Sequence, residues 1–393
     1  MLIEIILFLI LGVVLGTFTG LTPGIHTNLI GIFIVSISGF FLFVNPIYFI
    51  VIITSMAITH TFVDFIPSVF LGCPDTDTEL SILPGHELLK EGLGYEAVYL
   101  TCYGSIAAIF ILILISFPSI FLITKIQNLI QEIVPYLLIL ISAILILTDS
   151  EKFRALFVFL LTGILGLCVL NLNLKEPLLP LLTGLFGSST LLLSIKNKTE
   201  IPEQKITKPK IDSIKPFLGA LIASPFCSFL PGLGSGQAAI IGNTITKNNQ
   251  KNFLILLGAT NTLVMGFSFI SLYAISKTRT GAAVAISEIS NNITPQILIL
   301  ILAIVLISGI ISFFLTLFLA EKISGKINKI NYSKVSIITL IILMLVTLII
   351  SKPSGLFVLI ISTFTGIYCI NTNARRTNMM GCLIIPVIIL YLF

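Results

Sequence analysis

Long uninterrupted apolar runs dominate the chain, among them Ile106–Ile123, Ile133–Leu147, Phe253–Ile275, Ile297–Leu319 and Val335–Ile350. A helix rises about 1.5 Å per residue and the hydrocarbon core of a bilayer is about 30 Å thick, so each run has about the length needed to cross it. Less clean runs between them bring the expectation to about ten to twelve spanning helices. None shows the alternation of apolar and polar positions that lumen-facing strands impose, which excludes a transmembrane barrel. Met1–Gly20 lacks a basic leading region and runs straight into a Pro-Gly pair, so it reads as the first membrane helix and not as a secretory signal.

Two interruptions break this pattern early in each half. Gly20-Leu21-Thr22-Pro23-Gly24-Ile25-His26-Thr27 is one, and Phe229-Leu230-Pro231-Gly232-Leu233-Gly234-Ser235-Gly236-Gln237 is the other. Proline ends a helix and glycine lets the backbone turn where a side chain would clash. Non-helical backbone at membrane depth costs several kcal/mol per unpaired group unless protein or trapped water covers it, so such breaks belong inside the bundle at a cavity. Past each break a half-helix begins, with free N–H groups and about half a positive charge at its N-terminus. Two such ends meeting from opposite sides make a cradle for an anion at the midplane, with Thr27 and Asn28, Ser235 and Gln237 adding hydroxyl and amide contacts. The plainer alternative is that Pro and Gly only kink packed helices.

Composition agrees with the pattern: 393 residues, 56% hydrophobic, 10% charged, with a mean hydropathy of +1.12. Such values define an integral membrane protein. The net charge of +5 follows topology. Lys196, Lys198, Lys205, Lys208, Lys210 and Lys215 crowd one hydrophilic loop, which the positive-inside rule puts in the cytoplasm, and Lys322–Lys334 is the next candidate for that face. Topology accounts for the cluster without a nucleic-acid partner. The loop is also the one convincing linker, and dividing there gives a first membrane repeat, 1–196, a basic cytoplasmic linker, 197–215, and a second repeat, 216–393. The order of events is parallel in both: apolar run, Pro-Gly break, second apolar run, polar interruption, long helices. With an odd number of spans per half the repeats are inverted, and the lysine-free N-terminus lies outside. The expected fold is therefore all-α and polytopic, with two inverted repeats and broken or re-entrant helices, in a multi-pass protein of the cell membrane.

The polar interruptions carry the candidate chemistry. In the first half Asp64, Asp75, Asp77 and Glu79 lie in or beside Gly72–Glu79, and an ionisable group at membrane depth is a functional candidate by default. They could hold Na⁺ or accept a proton; alternatively they cap the helix from Leu80 or sit in water. The calcium-loop pattern is incomplete, since its glycine and distal glutamate are missing. In the second half Lys277 and Arg279 occupy the equivalent stretch, Ser276–Gly281, and Arg suits a carboxylate or phosphate; a short basic loop is the alternative. Asn261 lies in an apolar run and is expected to face protein, lining the pathway. His26 follows the first break directly. The histidines have no metal-ligand spacing, and the six cysteines read as small packing residues. No nucleophilic triad or phosphate loop is present, so an enzyme and an ATP-driven pump are both disfavoured.

The breaks resemble the TctA family, the large membrane subunit of tripartite tricarboxylate transporters. Gly16-Thr17-Phe18-Thr19-Gly20-Leu21-Thr22-Pro23-Gly24 is similar to its G-x-x-x-G-x-x-P-G, and Leu230-Pro231-Gly232-Leu233-Gly234-Ser235 to its L-P-G-x-G-[AS]. Pro74 and Pro84-Gly85-His86-Glu87-Leu88-Leu89-Lys90-Glu91-Gly92 stand where the family has a Pro-Gly turn and a T-x-x-D-G-Y-P run. The chain departs from it at Asp75, in place of the turn glycine, at Pro84, in place of an aspartate, and at Ser276–Gly281, in place of a G-I-P-G turn. The resemblance implies a secondary transporter of a small organic anion, carboxylate or tricarboxylate-like, coupled to H⁺ or Na⁺ with no other cofactor, and working with a small membrane subunit and a soluble binding protein. A carrier of polyprenyl phosphate, a membrane-embedded lipid enzyme and a channel are the alternatives.

Overall fold

The structure, a computed structural model, describes residues 2–22, 27–38, 44–72, 78–174, 176–196, 201–211, 213–230, 233–290, 292–327 and 332–392. The first half runs α1 (Leu2–Leu21), α2 (Thr27–Ser38), α3 (Pro46–Val63), α4 (Phe65–Leu71), α5 (Ile82–Lys90), α6 (Gly94–Leu147), α7 (Lys152–Leu170), α8 (Leu178–Leu182) and, after a π-helical turn, α9 (Ser189–Lys196). The second runs α10 (Lys215–Cys227), α11 (Ser235–Thr246), α12 (Gln250–Ile275), α13 (Gly281–Ile289), α14 (Pro295–Ile327), α15 (Tyr332–Asn371) and α16 (Gly381–Leu392). The protein is all-α and polytopic. Among the described residues eight helices are long and apolar enough to cross a membrane, and Glu132–Leu147 and Arg376–Leu392 are shorter apolar helices that bring the number to the lower end of the expected range.

Two of the helices are longer than one crossing. As a rod the 54 residues of α6 would extend roughly 80 Å. Both its ends nonetheless lie at one end of the bundle: Glu96 pairs with Lys251, Gln250 beside it reaches Glu87, and Asp149 just past the helix accepts from Arg375 N, which shares a cavity with Glu87. The run is thus two spans, Gly94–Lys125 and Glu132–Leu147, that double back. In α15 the backbone leaves the helix at Lys352 (φ 60°, ψ −171°), ahead of Pro353, which divides that run too.

At the centre lie α3–α4 and α12. Every residue of the most apolar window of Pro46–Leu71 is buried and 94% of that of Gln250–Ile275, against 28% for α1. These two helices are surrounded by protein, which lets them carry hydroxyls, an aspartate and an asparagine that lipid would reject. The approach is close because the neighbours are small. On α1, Gly12 lies against Ser55 and the Ile52 carbonyl, Gly16 against Met56 and Thr59, and Gly20 against Val63 and Asp64, with no space for a Cβ at any of them. The G-x-x-x-G spacing is a packing stripe that lays α1 parallel to α3. Gly104 and Gly258 do the same between α6 and α12.

The contacts recur in matching order. α1 packs on α3 and α10 on α12; α14 packs on α3 and α6 on α12; α15 packs on α8 and α9, and α16 on α7. Gly219, early in α10, lies against Gly242 and Thr246, late in α11, so α10 and α11 form a hairpin that returns to its starting end. α1 and α2 also turn back, but they are splayed around an apolar cavity of about 380 Å³ lined by Phe8, Leu15, Ile30 and Ile34.

The linker is docked, not free. Gly94 N donates to Gln204 Oε1 (2.8 Å), Gln204 Nε2 to the Leu89 carbonyl (3.0 Å), Lys205 N to the Gly92 carbonyl (2.7 Å) and Thr207 Oγ1 to Glu96 Oε2 (3.1 Å). The linker thereby covers the turn from α5 into α6.

Candidate functional site

The second break ends at Gly234, whose extended backbone (φ −121°, ψ −173°) precedes the first turn of α11. Gly234 N donates to Gln237 Oε1 (2.8 Å), one half of a capping box, which fixes the amide of Gln237 with its nitrogen facing away from that bond. Gln237 Nε2 is buried and has no partner among the described residues, and the same holds for Thr278 Oγ1. Arg279 closes the group. A Cβ added at Gly234 would lie 2.8 Å from Arg279 Nη2 and 3.2 Å from Nη1, so the guanidinium rests on the one residue able to admit it. Among the described residues Arg279 has no carboxylate partner.

A guanidinium and a helix N-terminus repel each other unless an anion lies between them. Unpaired buried donors each cost about 1–3 kcal/mol, so two of them, Gln237 Nε2 and Thr278 Oγ1, on the segments that bring Arg279 to Gly234 make a place suited to a negatively charged acceptor. Arg279 is half-buried while Lys277, two residues earlier, is exposed at the end of the bundle. Thr280 Oγ1 and Ser268 Oγ share a hydrogen bond (2.6 Å) that ties the Arg279 segment to α12.

The second cluster lies between the halves. Asp64, 2% exposed, closes α3, and its Oδ2 accepts from Asn261 Nδ2 on α12 (2.9 Å). Thr61 Oγ1 and Thr262 Oγ1 are 3.2 Å apart beside it. Asp64 N lies against Gly20, so this carboxylate sits where the first break begins. His60 Nδ1, one turn before Asp64, is 3.0 Å from Thr19 Oγ1 on α1.

Pro23, Gly24, His26, Asp75, Asp77, Pro231 and Gly232 lie outside the described residues, as do the side chains of Asn28 and Glu79. Thr27, Ser235 and Gly236 are buried at the starts of α2 and α11. The two breaks are linked through the segment that carries Arg279: Gly281, two residues on, opens α13, and α13 packs against α2, where Gly31 lies 3.3 Å from Ala285 Cβ as measured from an ideal Cβ. Sequence reasoning missed Thr278, which gave no signal beyond its place in the polar interruption. It also missed the pairing of Asp64 with Asn261.

A buried carboxylate–amide pair between two helices encased in protein, in a bundle whose described residues include eight helices apolar enough to cross a membrane, fits a polytopic membrane protein of the transporter class. The sequence profile of the tripartite tricarboxylate transporter TctA family matches residues 6–381, and the chain belongs to that family. It is 34% identical over 400 aligned residues to a protein of Methanocaldococcus jannaschii described as uncharacterized, covering 98% of this chain and 99% of that one. No solved structure matches it.

Proposed function

We propose that the protein is a secondary transporter of a small organic anion of the carboxylate type, working by alternating access between two inverted repeats and driven by H⁺ or Na⁺. The observation that carries this reading is Arg279 over Gly234, without a counter-charge, beside the unpaired amide nitrogen of Gln237. The anion's carboxylate takes the guanidinium fork and the positive N-terminal end of α11, with Gln237 Nε2 and Thr278 Oγ1 as further donors and Ser235 beside them. Asp64, held by Asn261, is the coupling group: a buried carboxylate that exchanges a proton or a Na⁺ as the halves move. Asp75, Asp77 and Glu79, and His26 with Thr27 and Asn28 after the first break, are the further residues assigned to the pathway. The matching contact order supports the repeat relationship, and the lysine-rich loop supports a cytoplasmic linker end. The family's tripartite organisation supports a small membrane subunit and a soluble binding protein as partners.

The rival reading, transport of a polyprenyl phosphate, has its own support in the apolar cavity between α1 and α2, whose lining has no polar surface and which would suit a hydrocarbon chain. Uptake into proteoliposomes decides between them. Labelled citrate and dicarboxylates are expected to accumulate under a Na⁺ or pH gradient and to be lost in Arg279→Gln; movement of polyprenyl phosphate with no carboxylate uptake would overturn the carboxylate reading.

A further inference from the structure

One pair of contacts breaks the correspondence between the halves. α13 follows the polar interruption of the second half, and it packs directly on α2, burying Ala282, Ala285 and Ile286. α5 follows the interruption of the first half, and α11 is the counterpart of α2. These two do not close on each other. They face each other across a cavity of about 340 Å³ with Pro84 and Glu87 on one wall, Asn243, Asn248 and Gln250 on the other, and Arg376 behind.

A repeat built twice from the same parts but packed at one end and parted at the other is in one of two exchangeable arrangements. We infer that the structure is the conformer open at the linker end, that the cavity between α5 and α11 is the mouth through which the anion leaves or arrives there, and that α2 and α13 are the equivalent gate, shut. This rests on the transporter reading above. The chemistry of the walls supports it. In a chain only 10% charged, this cavity collects amides, two arginines and a glutamate. Asn248 Oδ1 is buried without a partner, and Arg376 spends one nitrogen on Thr190 Oγ1 (3.0 Å). Apolar packing would leave such groups stranded, whereas in a hydrated mouth water donates to the Asn248 oxygen and the Arg376 guanidinium attracts the anion. Among the described residues the bridges across the mouth are those of Gln250 Nε2 to Glu87 Oε2 (2.7 Å), exposed, and to the Pro84 carbonyl (3.3 Å), part-buried. Two such hydrogen bonds are weak enough to break and remake as the end opens and shuts.

Thiol labelling tests this without any transport assay. Asn243→Cys, or Thr377→Cys if the first does not fold, is expected to react with a membrane-impermeant maleimide in inside-out vesicles, and Ala285→Cys to stay protected from both faces. Joining Glu87→Cys to Asn243→Cys with a short bifunctional maleimide is expected to raise the labelling rate of Ala285→Cys from the opposite face at least tenfold. Protection at both Asn243→Cys and Thr377→Cys, or an Ala285→Cys rate unmoved by the cross-link, would overturn the inference. Should labelling behave as expected while no carboxylate is transported, the gates stand and the substrate assignment falls.

Discussion

Asn261 Nδ2 donates to Asp64 Oδ2 across 2.9 Å, a hydrogen bond between the two most deeply buried helices and between the two halves of the chain. The bond lies at the start of the first break, since Asp64 N rests on Gly20. In the proposed mechanism the charged carboxylate holds the halves in register through this bond and gives up that duty when a proton or a cation takes it over.

Asn261→Ala leaves a buried carboxylate oxygen without this donor and is expected to cost about 1–3 kcal/mol, read as a lower melting temperature of the detergent-solubilised protein. Asp64→Asn, of the same shape and uncharged, should fold with near-normal stability yet uncouple uptake from the ion gradient. Gradient-driven uptake that survives in Asp64→Asn would remove Asp64 from the coupling step.

At the second break the expected order of damage follows donor geometry. Arg279→Lys keeps the charge but loses the planar fork, and Arg279→Gln loses both. Carboxylate affinity should fall about 10- to 100-fold in the first and further in the second, since a charge-assisted hydrogen bond contributes about 1.5–3 kcal/mol. Gly234→Ala, which pushes on the guanidinium without touching its charge, should resemble Arg279→Lys. Equal affinity in all three would separate Arg279 from the anion.

The α1–α3 seam predicts a structural failure. Gly16→Val drives a branched side chain into the Met56 carbonyl and Thr59 and is expected to cost about 1–3 kcal/mol or more, seen as reduced yield of folded protein. Gly325→Val, at a glycine with open space around it, is the control and should express normally.

His86 gives a dependence on pH. Burial, with a smaller contribution from the positive charge of Lys90, lowers its pKa from 6.5 to about 4, and its Nδ1–H donates to the Val69 carbonyl (3.2 Å). A depressed histidine is neutral when folded and takes up a proton when unfolded, so its contribution is complete above pH 6.5 and declines as the pH falls toward 4. The loss amounts to about 3 kcal/mol at about one kcal/mol or slightly more per unit. Thermal unfolding between those pH values should show the decline, and His86→Gln should flatten it. Asp149 acts lower: burial opposes its ionisation, but the N–H groups of Glu151 and Arg375 and the Asn378 amide outweigh this and hold its pKa below the usual carboxylate value, so its contribution fades only below about pH 4.

Much of the architecture was legible because membrane helices announce themselves by local composition. The apolar runs, the two Pro-Gly breaks and the lysine-rich loop all read from neighbours in sequence. Partners distant in the chain did not. Gln204 caps a backbone group 110 residues away and Asn261 finds Asp64 197 residues away, and no local pattern encodes either. The Gly16–Gly20 spacing was visible as a motif, but that it is the seam of α1 on α3 required the fold. Arg279 and Lys277 read alike as bases in one polar stretch, and the chain's turn into α13 is what sends one inward and leaves the other outside.

The encasement of α3 by protein has a consequence for synthesis. Asp64 leaves the ribosome long before Asn261, and at roughly 5–20 residues per second the delay is roughly 10–40 s. For that interval the carboxylate lacks the Asn261 amide and its helix lacks α12, so only the first-half helices packed on α3 and the insertion machinery shelter it. A nascent chain halted between the two residues should therefore be a substrate for quality control in a way that the finished protein is not.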